Sequence, residues 1–250
     1  MSTRRRTVRP PHPDLADVAY ARLAQAIATC EIPAGAPLNE REVAARLGMS
    51  RTPLRAALHR LSLEGLVTTV PKKGTYAARL DARDVEDNMA VREALEIEMA
   101  QRVIAAAVEL DAAVLDELLD AQRHAIEHLD SPAFLRADEQ FHLYLLATSG
   151  NRRAVEAAQR TWLHVNRARY MVPMTVAHMR SSLRGHREIV TAFTERSPAR
   201  VQRAIRDHLE EPLRRQLEYL HERHPDAFSQ GPPEMPSLHR DGAFSGRAAV

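Results

Sequence analysis

Asp138 and His142 stand four residues apart inside FLRADEQFHLYLL. A four-residue step returns to the same face of a helix, so this carboxylate and imidazole project together. Phe134, Leu135, Leu145 and Leu146 share that side, which turns the pair inward. Taken alone, such a pair is a hydrogen-bonded core pair more readily than half of a ligand set. Two further histidines widen the choice. His186 lies in GHREIVTAF beside Ile189, Val190 and Phe193, and His208 lies in VQRAIRDHLEEPL beside Val201, Ile205 and Leu209. A helical bundle can bring Asp138, His142, His186 and His208 together from three helices. Three imidazoles and a carboxylate suit a divalent transition metal: zinc first, with nickel, iron or manganese as alternatives. Such a set leaves positions open for water or a ligand. Burying the four groups with neither a metal nor full hydrogen bonding is costly. His124 and His128 repeat the four-residue step, but among Gln122, Arg123 and Glu127 they read as a solvated face. A metal so held can also activate water, which makes a metal-dependent enzyme a rival class. No further base, nucleophile or oxyanion donor stands at recognisable spacing, so no catalytic residue is assigned.

These residues need helices to position them, and most of the chain reads at helical period. The predicted fold class is mainly α: a winged helix-turn-helix of three helices and a β-hairpin, then an antiparallel all-α bundle of about six helices. A first helix covers about 15–30. Asn39 caps the next, with Glu42 completing a capping box and Gly48 ending it. Ser50 is the N-cap of a third, with Pro53 in its first turn and Gly65 past its end. LVTTVPKKGTYAARL then alternates around a Pro-Lys-Lys-Gly turn and is the one convincing hairpin. Beyond Leu80 the reading is helical throughout. One helix starts at Asp81 or Asp84 and runs through 107, and Asp111 starts another to about 129. Ser131-Pro132, read as N-cap and first helical residue, starts the helix that holds Asp138 and His142. Three more cover about 152–170, 177–196 and 198–222. The domains are a flexible basic arm (1–13), the winged helix-turn-helix (14–79), an all-helical domain (82–222) and a Pro/Gly/Ser-rich, disordered tail (223–250).

Composition fits two jobs. Residues 1–80 carry 13 Lys+Arg against 6 Asp+Glu, whereas residues 81–222 carry 19 against 24. A basic front and an acidic middle make nucleic acid the natural partner of the first part. The single cysteine, Cys30, excludes a disulfide framework and a cysteine metal cluster, and fits a reducing cytoplasm. No apolar run approaches a membrane span, and the basic N-terminus lacks the apolar stretch of a signal peptide.

In a winged helix-turn-helix the second helix of the turn enters the major groove. Here it begins at Ser50. Arg51 and Arg55 lie one turn apart near its start and can fork onto guanine or clamp phosphate. Ser50, Thr52 and the helix N-terminus suit phosphate. Lys72 and Lys73 at the hairpin tip can reach the backbone or the minor groove, and Arg41 is a further candidate. The stretch PAGAPLNEREVAARLGMSRTPLRAALHRLSLEGLVTTVPKKGTYAA resembles the N-terminal domain of GntR-family transcriptional regulators. Ala34 stands where that pattern usually has proline. The resemblance implies that Arg41, Arg51, Arg55 and the wing around Gly74 bind double-stranded operator DNA, as a homodimer on palindromic sites.

The second half is similar to the FCD effector domain of the FadR subfamily. The matching residues are VREALE (Arg92, Glu96), DEQFH followed by SGN, HREIV and DHL. This likeness implies a metal held by Asp138, His142, His186 and His208, with a small carboxylic acid bound beside or onto it. It makes Arg92 the partner of the ligand carboxylate, unless Arg92 is only a surface pair with Glu96. Asn166 and Arg169 are weaker candidates for the same pocket, and Trp162 and Tyr144 read as core. A FadR-like, metal-free pocket for an acyl chain, its histidines merely hydrogen-bonded, is the alternative within the regulator class.

Overall fold

The computed structural model describes residues 14–224, so the expected basic arm and nearly all of the expected tail lie outside the described residues. The order is α1 (Leu15–Ala28), α2 (Glu40–Leu47), α3 (Arg51–Leu63), β1 (Val67–Val70), β2 (Gly74–Ala77), α4 (Ala82–Ala105), α5 (Ala112–Glu127), α6 (Ser131–Thr148), α7 (Arg152–Met171), α8 (Val176–Thr194) and α9 (Pro198–Arg223). The mainly α class is as expected, with the hairpin in its expected place.

In the front unit, Leu23 and Ile27 of α1 meet Leu54, Leu58 and Leu61 of α3 over a core closed by Leu66, Val67 and Ala77. Asn39 caps α2 through bonds from the backbone N–H groups of Arg41 and Glu42. Glu42 accepts from the Asn39 side-chain amide (3.1 Å), not from its backbone, so only half of the expected capping box forms. Gly48 ends α2 in the left-handed region (φ 66°), which glycine adopts without a Cβ penalty. Ser50 occupies the N-cap of α3, but its hydroxyl makes no capping bond. The first helix stops at Ala28, two residues short of the expected end, because the chain turns at Cys30 (φ 59°). The hairpin pairs Val67 with Ala77 and Val70 with Gly74. EIPAGAPL reads as a turn in the sequence and forms one; its unforeseen feature is that it lies along β2, where Leu38 N–H donates to Thr75 O (2.7 Å) and Ala77 N–H to Ala36 O (2.9 Å).

The six following helices form the bundle. α9 runs antiparallel to α4: Arg206 pairs with Glu93, Gln202 bonds Gln101, and Leu220 meets Ala82 and Val85. Phe141, Leu146, Trp162, Val165, Ile189, Val201 and Ile205 fill the centre. The start of α6 differs from the sequence reading. Asp130, not Ser131, is the cap, accepting from Ala133 N–H at 2.8 Å. Pro132 is tolerated because the first-turn N–H groups have no intrahelical partner. α8 opens with a capping box between Thr175 and His178. Helix α7 joins the two units: Leu163 packs against the front core, and Arg167 donates to the Ala78 carbonyl just after β2. No described helix is long and apolar enough to cross a membrane.

Candidate functional site

All six helices of the bundle contribute to one buried polar cluster. Asp138 and His142 come from α6, His186 from α8 and His208 from α9, at 2, 1, 0 and 8% exposure. Their ligand atoms all lie within 4.8 Å of one another. His142 Nε2 is 3.1 Å from both His186 Nε2 and His208 Nε2, and Asp138 Oδ1 is 3.4 Å from His186 Nε2.

The outer nitrogens decide what the inner ones offer. His142 donates from Nδ1 to the Glu96 carboxylate (2.9 Å), and His186 donates from Nδ1 to Gln122 Oε1 (2.6 Å). A neutral imidazole carries one N–H, so each Nε2 is left as a bare lone pair. Two such lone pairs 3.1 Å apart cannot bond each other; a cation between them resolves the contact. Imidazoles whose far N–H is held by a carboxylate or carbonyl are the common outer arrangement of metal-ligating histidines. Burial holds the His186 and His208 imidazoles well below their ordinary pKa, which keeps them neutral and available. Burial pushes the Asp138 carboxyl up, but Arg169, His186 and His142 outweigh it and hold the group well below the usual range. Glu96 is likewise raised by burial and lowered more by Arg92 and His142, to about 2. Gly185 completes the fit. A Cβ there would come within 2.6 Å of His208 Nδ1, so the missing side chain lets the ring lie against α8. The donor set therefore fits a divalent transition ion held by Asp138, His142, His186 and His208.

Three expected effector residues surround this set. Arg92 does pair with Glu96 (2.7 Å), but the pair is buried and not on the surface. Its guanidinium lies 4.0 Å above the Trp162 ring, and its Nη2 is buried with no partner. Arg169 donates to Asp138 Oδ2 at 2.5 Å, and Asn166 links Arg169 to Glu139. Trp162 is core, as read, yet Arg92, Arg169 and His142 all lie against its ring. Tyr144 is half-buried, its hydroxyl accepting from Asp111 N–H. Gln122 corrects the sequence reading: grouped there with a solvated face, it is fully buried and holds His186. Its signal was the stripe Leu115, Leu119, Gln122, Ile126 at helical spacing. Ser182, also not anticipated, donates to Asp138 Oδ1 (3.2 Å). His124, Glu127 and His128 are exposed, as expected of a solvated face.

On the front unit Arg41, Ser50, Arg51, Thr52, Arg55, Lys72, Lys73 and Gly74 are all exposed. Arg55 is not wholly free, because its Nε bonds Glu40 at 2.7 Å. Lys72 takes the left-handed conformation (φ 64°) and Gly74 a φ of 128° in the tight turn between the strands.

Comparison with known proteins agrees with both halves. Residues 15–77 match the family of bacterial regulatory proteins called gntR, and residues 87–211 match the FCD domain. The chain is 30% identical to the uncharacterized HTH-type transcriptional regulator YdfH of Escherichia coli O6:H1, across 88% of this chain and 96% of that one. It is 30% identical to the HTH-type transcriptional repressor RspR of Escherichia coli K12, across 84% and 92%. Among solved structures, Escherichia coli McbR/YncC superposes with a TM-score of 0.74 at 19% identity, covering 83% of this chain and 99% of that one. A GntR regulator from Rhodococcus sp. RHA1, described as putative, does so at 0.69 and 20%, covering 81% and 97%. YdfH and RspR are both named as HTH-type regulators of transcription. With its winged helix followed by an FCD domain, the chain belongs to the GntR family of bacterial transcriptional regulators.

Proposed function

We propose that this regulator binds palindromic operator DNA as a homodimer and senses a small carboxylic acid at a metal held by Asp138, His142, His186 and His208. The observation that carries the reading is the convergence of Nε2 lone pairs whose Nδ1 groups are tied to Glu96 and Gln122. When bound, a metal such as zinc supplies a Lewis-acidic position for an anionic oxygen. The charges around it favour an acid. Arg92, Arg169, Glu96 and Asp138 are all buried and sum to zero, so a divalent ion adds two positive charges that an organic anion offsets. Arg92 supports this further, since its unpartnered Nη2 can complete a two-pronged contact with a carboxylate. The crevice bounded by Arg92, Asp138, Arg169 and His208 has only about 10 Å³ of free space. An incoming acid therefore has to displace side chains there, and the Arg169–Asp138 bond stands in its way. That displacement is how a ligand comes to distinguish two states of the domain, which linkage requires for any effect on DNA affinity. Helix α7 gives the change a path, because the helix that carries Arg169 also carries Leu163 and Arg167 onto the front unit.

For DNA, the exposed Arg51 and Thr52 at the start of α3 and the lysines of the wing supply the contacts. The unused Ser50 hydroxyl is a phosphate donor in the same place. Arg51→Ala is expected to cost about 1–3 kcal/mol of operator binding and to relax base preference. Binding to sites selected from a random-sequence library checks this, and unchanged affinity and preference would remove Arg51 from the groove. The effector reading is tested by a thermal-shift screen of small carboxylic acids on metal-loaded and metal-stripped protein. An acid that stabilises only the loaded form supports it, and acids that stabilise both forms equally contradict it.

A further inference from the structure

We infer that the groove between α8 and α9 is the mouth of the histidine centre and the subsite for the polar remainder of its ligand. The inference rests on reading that centre as a metal-and-acid site. The groove encloses about 580 Å³, within the range of small-molecule sites. Ser181, Arg184 and Glu188 line it from α8, and Arg203, Asp207 and Glu211 from α9. Its inner wall is shared with the crevice beside Arg92 and Asp138: Ser182, His208, Glu211 and Pro212 border both. The two spaces thus adjoin.

Three features of the chain place an opening here. His208 is the most exposed of the four candidate ligands, at 8% against 0–2% for the others. Gly185 forms the groove floor opposite it, and any side chain at that position would run into the ring. Pro212 sits inside α9 four residues after His208 and has no N–H to give the His208 carbonyl. One helical hydrogen bond is therefore already missing at the turn that borders the mouth, so α9 can yield there without breaking another. The gate consists of Glu211, which lines both spaces and is fixed there by Arg215 at 3.3 Å, and Ser182, whose hydroxyl bonds Asp138.

The lining selects the ligand. Guanidiniums (Arg184, Arg203), carboxylates (Glu188, Asp207) and the Ser181 hydroxyl line the groove together, giving donors and acceptors of both signs. An acyl chain offers these largely exposed, polar groups no hydrogen-bond partner. A carboxylic acid bearing hydroxyl or amide groups would satisfy them.

The test measures how fast full-length, zinc-loaded protein gives up its metal to pyridine-2,6-dicarboxylate, itself a polar dicarboxylate that has to use the same entry. Ser181→Trp fills the groove and is expected to slow the transfer several-fold. Glu211→Ala removes the gate and is expected to speed it. Both should still bind one zinc per chain at equilibrium, since neither residue holds the metal. If Ser181→Trp fails to fold, Glu211→Ala alone decides. Unchanged rates in folded variants that still hold one zinc would overturn the groove as the mouth. Failure of the unmutated chain to take up zinc would instead sink the reading of the centre itself.

Discussion

Two pairs of side chains in the bundle have the same spacing and opposite settings. His124 and His128 lie on and just past the end of α5, exposed, with ring centroids 4.0 Å apart and Glu127 within ligand distance. Asp138 and His142 lie on α6, buried, against residues of other helices such as Glu96, His186 and His208. Both clusters bring at least three donor atoms within 4.8 Å of one another, so proximity does not separate them. The outer contacts and the solvent do. His128 Nδ1 bonds the carbonyl of His124 in its own helix, and water can satisfy what remains. His142 and His186 are each held by a buried acceptor from another helix, and their lone pairs face one another away from water. An exposed cluster costs nothing when empty. A buried one carries a penalty that a cation removes.

Substitutions can break or sharpen that contrast. The largest effect is expected from His186→Ala, which removes a ligand and leaves Gln122 without its partner; zinc titration should no longer show stoichiometric uptake. Gly185→Ala should come next. Its methyl cannot coexist with the His208 ring in place, so metal affinity falls and denaturant unfolding registers a loss of about 1–3 kcal/mol, the usual scale of overpacking. Glu96→Gln keeps the shape but weakens the hold on His142, and zinc competition should show a loss of about 10–100-fold, as for other supporting partners of metal ligands. His128→Ala is the smallest change, with high-affinity zinc uptake unaltered and stability within about 0.5 kcal/mol. A His128→Ala effect as large as that of Glu96→Gln would erase the distinction between the two clusters.

The sequence made the four candidate ligands legible because each lies on an apolar stripe of its own helix, where a polar residue stands out. It made the front unit legible through caps and turns: Asn39, Gly48 and the Pro-Lys-Lys-Gly hairpin all sit where local chemistry demands. What it hid were contacts between helices distant in the chain. Glu96 looked like a partner for Arg92 and proved also to hold His142, 46 residues away. Gln122 was masked by its charged neighbours Arg123 and His124, although its own position is fully buried. The tie between Arg55 and Glu40 could not be seen either, since two charges 15 residues apart on different helices declare no pairing. Helix α7 is the hardest case. Its polar residues face two ways, with Asn166 and Arg169 toward the centre and Arg167 toward the front unit, and spacing alone does not say which face meets which neighbour.

The central claim is that the buried cluster is a metal site and not a set of hydrogen-bonded core residues. The most direct test is zinc titration of the metal-stripped, full-length chain beside His186→Ala and a His124→Ala/His128→Ala double variant. One tightly held ion per chain in the unmutated protein and in the double variant, and none in His186→Ala, is the predicted result. No tight uptake by the unmutated chain, or uptake that survives in His186→Ala but is lost from the double variant, would contradict it.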